Sequence, residues 1–168
     1  MLGDALLVID LQNGVCHQNK ADIYQLEQLR MKVSQRIARY TAADHPVIFV
    51  QHENETLLKG SAAWQLIPEI PVPATAYFVA KMHANSFFQT PLNRLLQNLK
   101  VTKVELCGAQ SEYCIDATVK FAHGLGYQLL MSHQMTTTWD NEFMSAAKTI
   151  AFYEKIWDRR FLQFVDSY

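Results

Sequence analysis

Three side chains in the sequence form a set that could carry out nucleophilic catalysis: a carboxylate, an amine and a thiol. Asp10 and Lys81 each follow an apolar run of strand length, and Cys114 follows a third run after a short turn. A thiolate is a strong nucleophile, and a nearby lysine charge and a helix N-terminus both favour that form of cysteine. A carboxylate within reach can take the thiol proton and return it to a leaving amine. Cys114 is therefore a candidate nucleophile, although each of the three residues taken alone also fits a structural role.

These candidates would be positioned by strands that alternate with helices. The predicted strands are the apolar runs 5–9, 47–50, 76–79, 104–107 and 127–131. Apolar residues at helical spacing form stripes that begin at Leu26, Leu92, Ile115 and Phe143, with Thr90 as N-cap and Pro91 as first residue of the second helix. Runs that are apolar throughout are typical of strands covered on both faces, and their alternation with helices predicts a parallel sheet. Ligands bind such sheets beyond the carboxyl ends of the strands, so the three candidates should meet at one edge.

Two further segments have a less certain place in this pattern. Residues 51–73 contain Gly60, Pro68, Pro71 and Pro73 and predict an extended loop, of the kind that forms lids or binding walls. Residues 161–165 are mostly apolar and fit either a sixth, edge strand or an oligomer contact.

The composition points to a globular chain and disfavours nucleic-acid or membrane partners. The 168 residues carry a formal net charge of -1, without a basic stripe or a polybasic cluster. No apolar run approaches the roughly 18–20 residues of a spanning helix. The three cysteines, Cys16, Cys107 and Cys114, lack paired spacing, which favours a reducing compartment over a disulfide framework. We expect a cytoplasmic protein with one domain over residues 1–168.

Motifs of other α/β proteins and of metal sites are missing from the sequence. Neither GxGxxG nor GxxxxGK[ST] follows a predicted strand, which weakens the alternative of a nucleotide or flavin binder. There is no CxxC pair, no HExxH and no paired Cys/His spacing. We therefore expect neither a metal nor a cofactor.

Three stretches carry a resemblance to a known family: "LLVIDLQNG" with Asp10, "VAKMHANSFFQTPL" with Lys81, and "LCGAQSEYCIDATVKFAHGLGY" with Cys114. In order and spacing they resemble the isochorismatase-like cysteine hydrolases, which include nicotinamidases, N-carbamoylsarcosine, ureidoacrylate and maleamate amidases, and isochorismatases. The resemblance runs from Ala5 to Tyr127 and weakens beyond Met131. It implies that Cys114 attacks a carbonyl carbon to form a thioester, that Asp10 is the general base, and that Lys81 positions the thiolate.

The resemblance also implies features of the substrate site. A cis peptide would join Ala109 to Gln110, and the backbone N–H groups of Gln110 and Cys114 would form the oxyanion hole. Nicotinamidases of the family carry an Asp-x-His metal pair after the second strand, whereas this sequence has only His52 there, so no metal is expected. The proposed substrate-binding residues are Gln12, His52, Trp64, Phe87 and Tyr113, whose positions also fit core residues.

The resulting expectation is a Rossmann-like α/β fold, a three-layer α/β/α sandwich with a mainly parallel sheet of five to six strands in the order 3-2-1-4-5(-6). The expected function is hydrolysis of a small amide or related C–N bond other than a peptide bond. The alternative is a catalytically inactive family member that serves as a binding or regulatory module. The resemblance further implies a homo-oligomer, either a dimer or a tetramer.

Overall fold

A computed structural model describes residues 1–165 of the chain. The strands are β1 (Ala5–Ile9), β2 (His17–Gln18), β3 (Ala21–Asp22), β4 (Val47–His52), β5 (Tyr77–Lys81), β6 (Lys103–Ala109), β7 (Gln128–Ser132), β8 (Thr136–Thr137) and β9 (Gln163–Val165). The helices are α1 (Asn13–Cys16), α2 (Leu26–Ala42), α3 (Leu92–Asn98), α4 (Asp116–Gly124) and α5 (Ala146–Trp157). A single π-helical turn over Ser111–Ile115 directly precedes α4.

Seven of these strands form a parallel sheet flanked by helices. Its order is β5-β4-β1-β6-β7-β9, with β8 paired to the end of β6, while β2 and β3 form a separate antiparallel hairpin. Counting only the six longer strands along the chain, the order is 3-2-1-4-5-6, which confirms the predicted order. The apolar run at residues 161–165 contributes the sixth, edge strand. The two-residue β8 was not predicted, because so short a strand leaves no pattern in the sequence.

Burial across the sheet follows the position of each strand. All five residues of β1 are fully buried, as its apolar run predicts. The edge strand β5 departs from the expectation that both faces are covered, since Tyr77 and Phe78 are 38% and 55% exposed. Within residues 1–165, β4 is the only strand that pairs with β5, and Phe78 is partly covered by stacking on Phe49 of β4. Helix α2 packs its predicted stripe against the sheet, from Leu26 to Tyr40.

Two helices begin later than the sequence predicts. Helix α3 starts at Leu92 and Pro91 is its N-cap, so both the predicted N-cap and the predicted first residue are one position too early. The Thr90 hydroxyl still accepts a hydrogen bond from the Leu92 N–H at 3.3 Å. Helix α5 starts at Ala146, which leaves Phe143 outside it and 83% exposed. None of the helices within residues 1–165 has the length and apolar character needed to cross a membrane.

The segment between β4 and β5 is irregular, as predicted, but it begins two residues later. Gln51 and His52 extend β4, because they continue its pairing with β5 as far as Lys81. Backbone hydrogen bonds then fasten the segment to the chain after β1, from Asn13 N–H to Gln65 and from Gly14 N–H to Ala63. The segment therefore forms a fixed wall above the carboxyl edge of the sheet.

Candidate active site

The structure brings Asp10, Lys81 and Cys114 together at the carboxyl edge of the sheet. Asp10 directly follows β1, Lys81 is the last residue of β5, and Cys114 lies in the π-helical turn after β6. Strand β4 separates β1 from β5, and neighbouring strands lie about 4.8 Å apart. A long side chain is thus needed to reach from β5 to β1, and the lysine provides it. Asp10 and Lys81 are each 2% exposed, whereas Cys114 is half-buried at the wall of a cavity.

The Lys81 ammonium is the centre of this site. Its Nζ lies 2.6 Å from Asp10 Oδ2, 3.0 Å from His52 Nδ1 and 3.2 Å from Cys114 Sγ. An ammonium group has three N–H donors, so these three acceptors use all of them. Lys81 therefore holds a carboxylate, an imidazole and a thiol in one cluster.

Asp10 is held in an unusual backbone conformation. Its φ of +52° lies in the left-handed region, which non-glycine residues rarely adopt and which aspartate tolerates better than most. Its N–H bonds to Val50 of the neighbouring strand β4 at 2.9 Å. While Oδ2 accepts from Lys81, Oδ1 is buried and accepts no hydrogen bond within residues 1–165. Oδ1 is thus available to accept a proton. The strained backbone of Asp10 is of the kind that clusters at active sites.

Gly108 allows β6 to approach β1 closely just before the cysteine turn. Its φ is +129°, and a Cβ at this position would collide with the carbonyl oxygen of Ile9. Only glycine combines this conformation with so close an approach. This glycine places the turn that carries Cys114 beside Asp10.

The turn between β6 and Cys114 is fixed by several polar contacts. The peptide bond between Ala109 and Gln110 is cis. The Ser111 hydroxyl donates to Thr136 Oγ1 of β8 at 2.9 Å, and the N–H groups of Tyr113 and Ile115 both donate to the Gln110 carbonyl. Strand β8 therefore helps to hold the cysteine turn against the end of β6.

Burial governs the protonation of the cysteine. Burial and, after it, the Asp10 charge raise the pKa of Cys114 to about 12 against the opposing effect of the Lys81 charge. The Lys81 charge favours the thiolate, as expected, but desolvation outweighs its effect in the resting site. Cys114 rests as a thiol, and a base has to take its proton as it attacks.

This protonation state leads to a labelling prediction. Iodoacetamide should modify Cys114 before Cys16 and Cys107, because the latter two are fully buried. The rate at Cys114 should rise by about tenfold per pH unit from about pH 7 to about pH 10, because the thiolate fraction rises in this way below the pKa. Peptide mapping by mass spectrometry over this range measures both. A rate that levels off near pH 8 would contradict the raised pKa of Cys114. Equal labelling of all three cysteines would contradict the burial of Cys16 and Cys107.

A cavity of about 350 Å³ opens in front of Cys114. Of the residues predicted to bind substrate or an oxyanion, it is lined by His52, Gln110, Tyr113 and Cys114 itself. Seven further lining residues were not predicted: Gly14, Val15, Gln18, Asn54, Thr56, Leu57 and Ala84. Most of them come from the segments after β1 and β4, where the sequence shows a loop but not which side chains face inward.

Three predicted substrate-binding residues lie outside this cavity. Gln12 is fully buried, and its side-chain amide bonds the backbone N–H and carbonyl of His52 and the carbonyl of Trp64. The Trp64 side chain contributes to a different cavity, beside Phe78 of β5. Phe87 is 7% exposed and packs against Phe121. Their positions after strands or in the long loop made them candidates. In the structure, Gln12 holds the backbone of the cavity wall, Trp64 lines another cavity and Phe87 is a core residue.

A metal ion does not fit this cluster while Lys81 occupies its centre. One ligand atom each from Asp10, His52 and Cys114 lies within 4.8 Å of the others, a spacing that a cation could use. The Lys81 ammonium, however, is already hydrogen-bonded to all three side chains. Its positive charge would repel a metal ion at the same place.

Comparisons with known proteins agree with this fold. The model of the isochorismatase domain family matches residues 4–153. The isochorismatase family protein YddQ of Bacillus subtilis (strain 168) is 33% identical over 146 residues, 80% of this chain and 78% of that protein. A streptothricin hydrolase of Streptomyces noursei is 29% identical over 140 residues, 81% of this chain and 55% of that protein. The crystal structure of an isochorismatase family protein has a TM-score of 0.93 at 44% identity and covers 96% of this chain and 97% of that one.

These matches define the class of protein. The chain has the fold of a class of hydrolases. Within that class, the chain belongs to the isochorismatase family.

Proposed function

We propose that this protein hydrolyses a C–N bond of a small amide or related compound through a thioester on Cys114. The observation that carries the proposal is the Lys81 ammonium, which bridges a buried carboxylate and a thiol at the wall of a cavity. The volume of about 350 Å³ suits a small molecule and lies at the low end for ligand cavities. Burying an ion pair costs free energy, so such a pair is weak evidence of a purely stabilising role. Its position beside a nucleophile in a cavity supports a catalytic role instead.

In the first half of the reaction, the Cys114 sulfur attacks the carbonyl carbon and its proton passes to Asp10. The free oxygen of Asp10 is the acceptor, since Lys81 already bonds the other one. The backbone N–H groups of Gln110 and Cys114 would bind the oxyanion of the tetrahedral intermediate. The C–N bond then breaks, and Asp10 returns the proton to the leaving nitrogen. Ammonia or an amine departs and an acyl thioester remains.

In the second half, water replaces the departed amine. Asp10 takes a proton from the water molecule, whose oxygen attacks the thioester carbon. The C–S bond breaks, the carboxylic acid leaves and Cys114 regains its proton. Lys81 holds the carboxylate of Asp10 and the sulfur of Cys114 in place through its hydrogen bonds to both.

A screen for released ammonia tests this proposal. Primary amides, carbamoyl compounds and ureides are incubated with the protein, and ammonia is measured by a coupled assay. We expect turnover of at least one class, lost when Cys114 is replaced by alanine. Equal ammonia release by the Cys114→Ala protein would refute the proposed mechanism, and binding of these compounds without release would favour the binding module considered above.

A further inference from the structure

The third hydrogen bond of Lys81 fixes the chemical state of His52. A lysine ammonium has no acceptor, so the His52 Nδ1 that lies 3.0 Å from it must accept and cannot carry a hydrogen. The ammonium is charged because it forms a fully buried ion pair with Asp10 at 2.6 Å. The only neutral form of imidazole with a free Nδ1 carries its hydrogen on Nε2.

His52 also lines the cavity, together with Gln110, Tyr113 and Cys114. Within residues 1–165, its Nε2 makes no hydrogen bond, and it is not among the buried polar atoms without a partner. The Nε2–H donor is therefore accessible and available to a molecule bound in the cavity.

The charged surroundings keep His52 neutral. Burial lowers its pKa, and the Lys81 charge lowers it further against the opposing effect of Asp10. His83 acts in the same direction as Lys81. Protonation of Nδ1 would also break the hydrogen bond to Lys81 and set two cations side by side. His52 thus stays a neutral donor to a lower pH than a free histidine does.

The backbone of His52 is held as firmly as its ring. Gln12 accepts from the His52 N–H at 2.7 Å and donates to its carbonyl at 3.0 Å. In the sheet, His52 of β4 is directly opposite Lys81 of β5. Both the imidazole and the ammonium therefore start from fixed points, which is how a site keeps its donors in place before a substrate arrives.

We propose that His52 has two functions in the reaction proposed above: Nδ1 positions Lys81, and Nε2–H binds a second oxygen of the substrate. The inference rests on that proposed function and narrows its substrate class. The preferred substrate is an amide that carries a further carbonyl or carboxylate oxygen on its acyl side. An amide without such an oxygen would leave the Nε2–H unpaired in the closed site, which lowers affinity.

Two substitutions separate these functions because each keeps one of them. In His52→Asn, the side-chain oxygen lies near the place of Nδ1 and can accept from Lys81, but the donor into the cavity is lost. In His52→Gln, the amide nitrogen reaches the place of Nε2, but the acceptor for Lys81 is lost. His52→Ala loses both and serves as the reference.

Succinamide and 4-methylpentanamide form a suitable pair of probes because they have nearly the same shape. In 4-methylpentanamide, an isopropyl group replaces the second carboxamide group of succinamide and with it the second carbonyl oxygen. We expect the wild type to prefer succinamide by about tenfold in kcat/KM, the value of one hydrogen bond. His52→Asn should lose this preference through a higher KM for succinamide, with kcat little changed. His52→Gln should keep the preference and lose about tenfold or more in kcat, because Lys81 is no longer held in place. Equal preference in the wild type and His52→Asn would overturn the donor role, and unchanged kcat in His52→Gln would overturn the positioning role.

A measurement without turnover keeps this inference distinct from the proposed function. Nitrogen NMR of the wild-type protein, with His52 assigned from the His52→Gln spectrum, reports which ring nitrogen carries hydrogen. We expect hydrogen on Nε2 and a bare Nδ1 at neutral pH, with protonation of the ring only below the ordinary histidine pKa. A hydrogen on Nδ1 at neutral pH, or protonation of both nitrogens at or above the ordinary histidine pKa, would overturn the inference even if amides are hydrolysed. The expected tautomer in a protein that hydrolyses no amide would instead refute only the proposed function and, with it, the substrate role of Nε2–H.

Discussion

Replacement of Cys114 by alanine is expected to lower amide hydrolysis by about ten-thousand-fold or more, the usual cost of removing a catalytic nucleophile. The thiol forms the bond to the substrate in the proposed mechanism, and no other cysteine can replace it, because Cys16 and Cys107 are fully buried. The fold should survive, since Cys114 is only half-buried and alanine keeps its Cβ. Steady-state ammonia release and the thermal midpoint of unfolding measure the two effects.

Cys107→Ala is the matched control for this substitution. Cys107 lies in β6, and its thiol makes a weak contact with the Leu7 carbonyl at 3.5 Å. Removing this sulfur from the core should cost about 1–2 kcal/mol of stability and leave the rate of hydrolysis unchanged. A Cys114→Ala protein that retains more than a few per cent of wild-type activity would contradict the assignment of the nucleophile.

Replacement of Lys81 by methionine is expected to destabilise the protein by about 3–5 kcal/mol and to remove activity, because it leaves a buried carboxylate without a partner. Lys81 and Asp10 are 0% and 2% exposed at their side chains, so water cannot compensate. The adjacent thiol and imidazole also lose their common donor. Urea denaturation measures the loss of stability.

Two further variants show whether the effect comes from the buried pair. The double variant Lys81→Met with Asp10→Asn removes both charges and should recover part of the lost stability without recovering activity. Lys120→Met breaks an exposed ion pair with Asp116, one helical turn away, and should change stability by about 0.5 kcal/mol or less. If Lys81→Met is no more destabilising than Lys120→Met, the buried pair does not have the energetic role assigned to it.

The sequence predicts the sheet well because its strands are buried on both faces. The central run at residues 5–9 is apolar at every position, and its full burial in β1 agrees with that pattern. The strand boundaries are less predictable. β4 and β5 each extend to a polar residue, His52 and Lys81, because the pairing between the two strands continues as far as these residues. Hydrophobic pattern alone stops at the last apolar residue.

The site is predictable only where chemistry and topology coincide. Asp10, Lys81 and Cys114 follow three strands of one parallel sheet, and this position alone predicts that they meet. The pKa of Cys114 could not be predicted in this way, because its direction depends on how far burial outweighs the lysine charge. The hydrogen bond between Lys81 and His52 was not foreseen either, since it needs the strand register.

The cavity walls were the least predictable part. Gln12, Trp64 and Phe87 follow strands or lie in the long loop, yet none of them lines the cavity: Gln12 bonds the backbone of His52, Trp64 lines a different cavity and Phe87 packs against Phe121. The true walls include Asn54 and Thr56, which a local turn directs inward through hydrogen bonds to the Asn54 side chain. Which face of such a turn meets the cavity depends on contacts distant in sequence.

The most direct measurement is the intact mass of the protein during turnover of an amide found by the ammonia screen. Rapid acid quenching should trap a species heavier than the free protein by the mass of the acyl group less the one hydrogen that it replaces, and peptide mapping should place that group on Cys114. The account predicts that this adduct forms and decays at the rate of turnover and is absent from Cys114→Ala. Turnover without any adduct on Cys114, or an adduct on another residue, would contradict it.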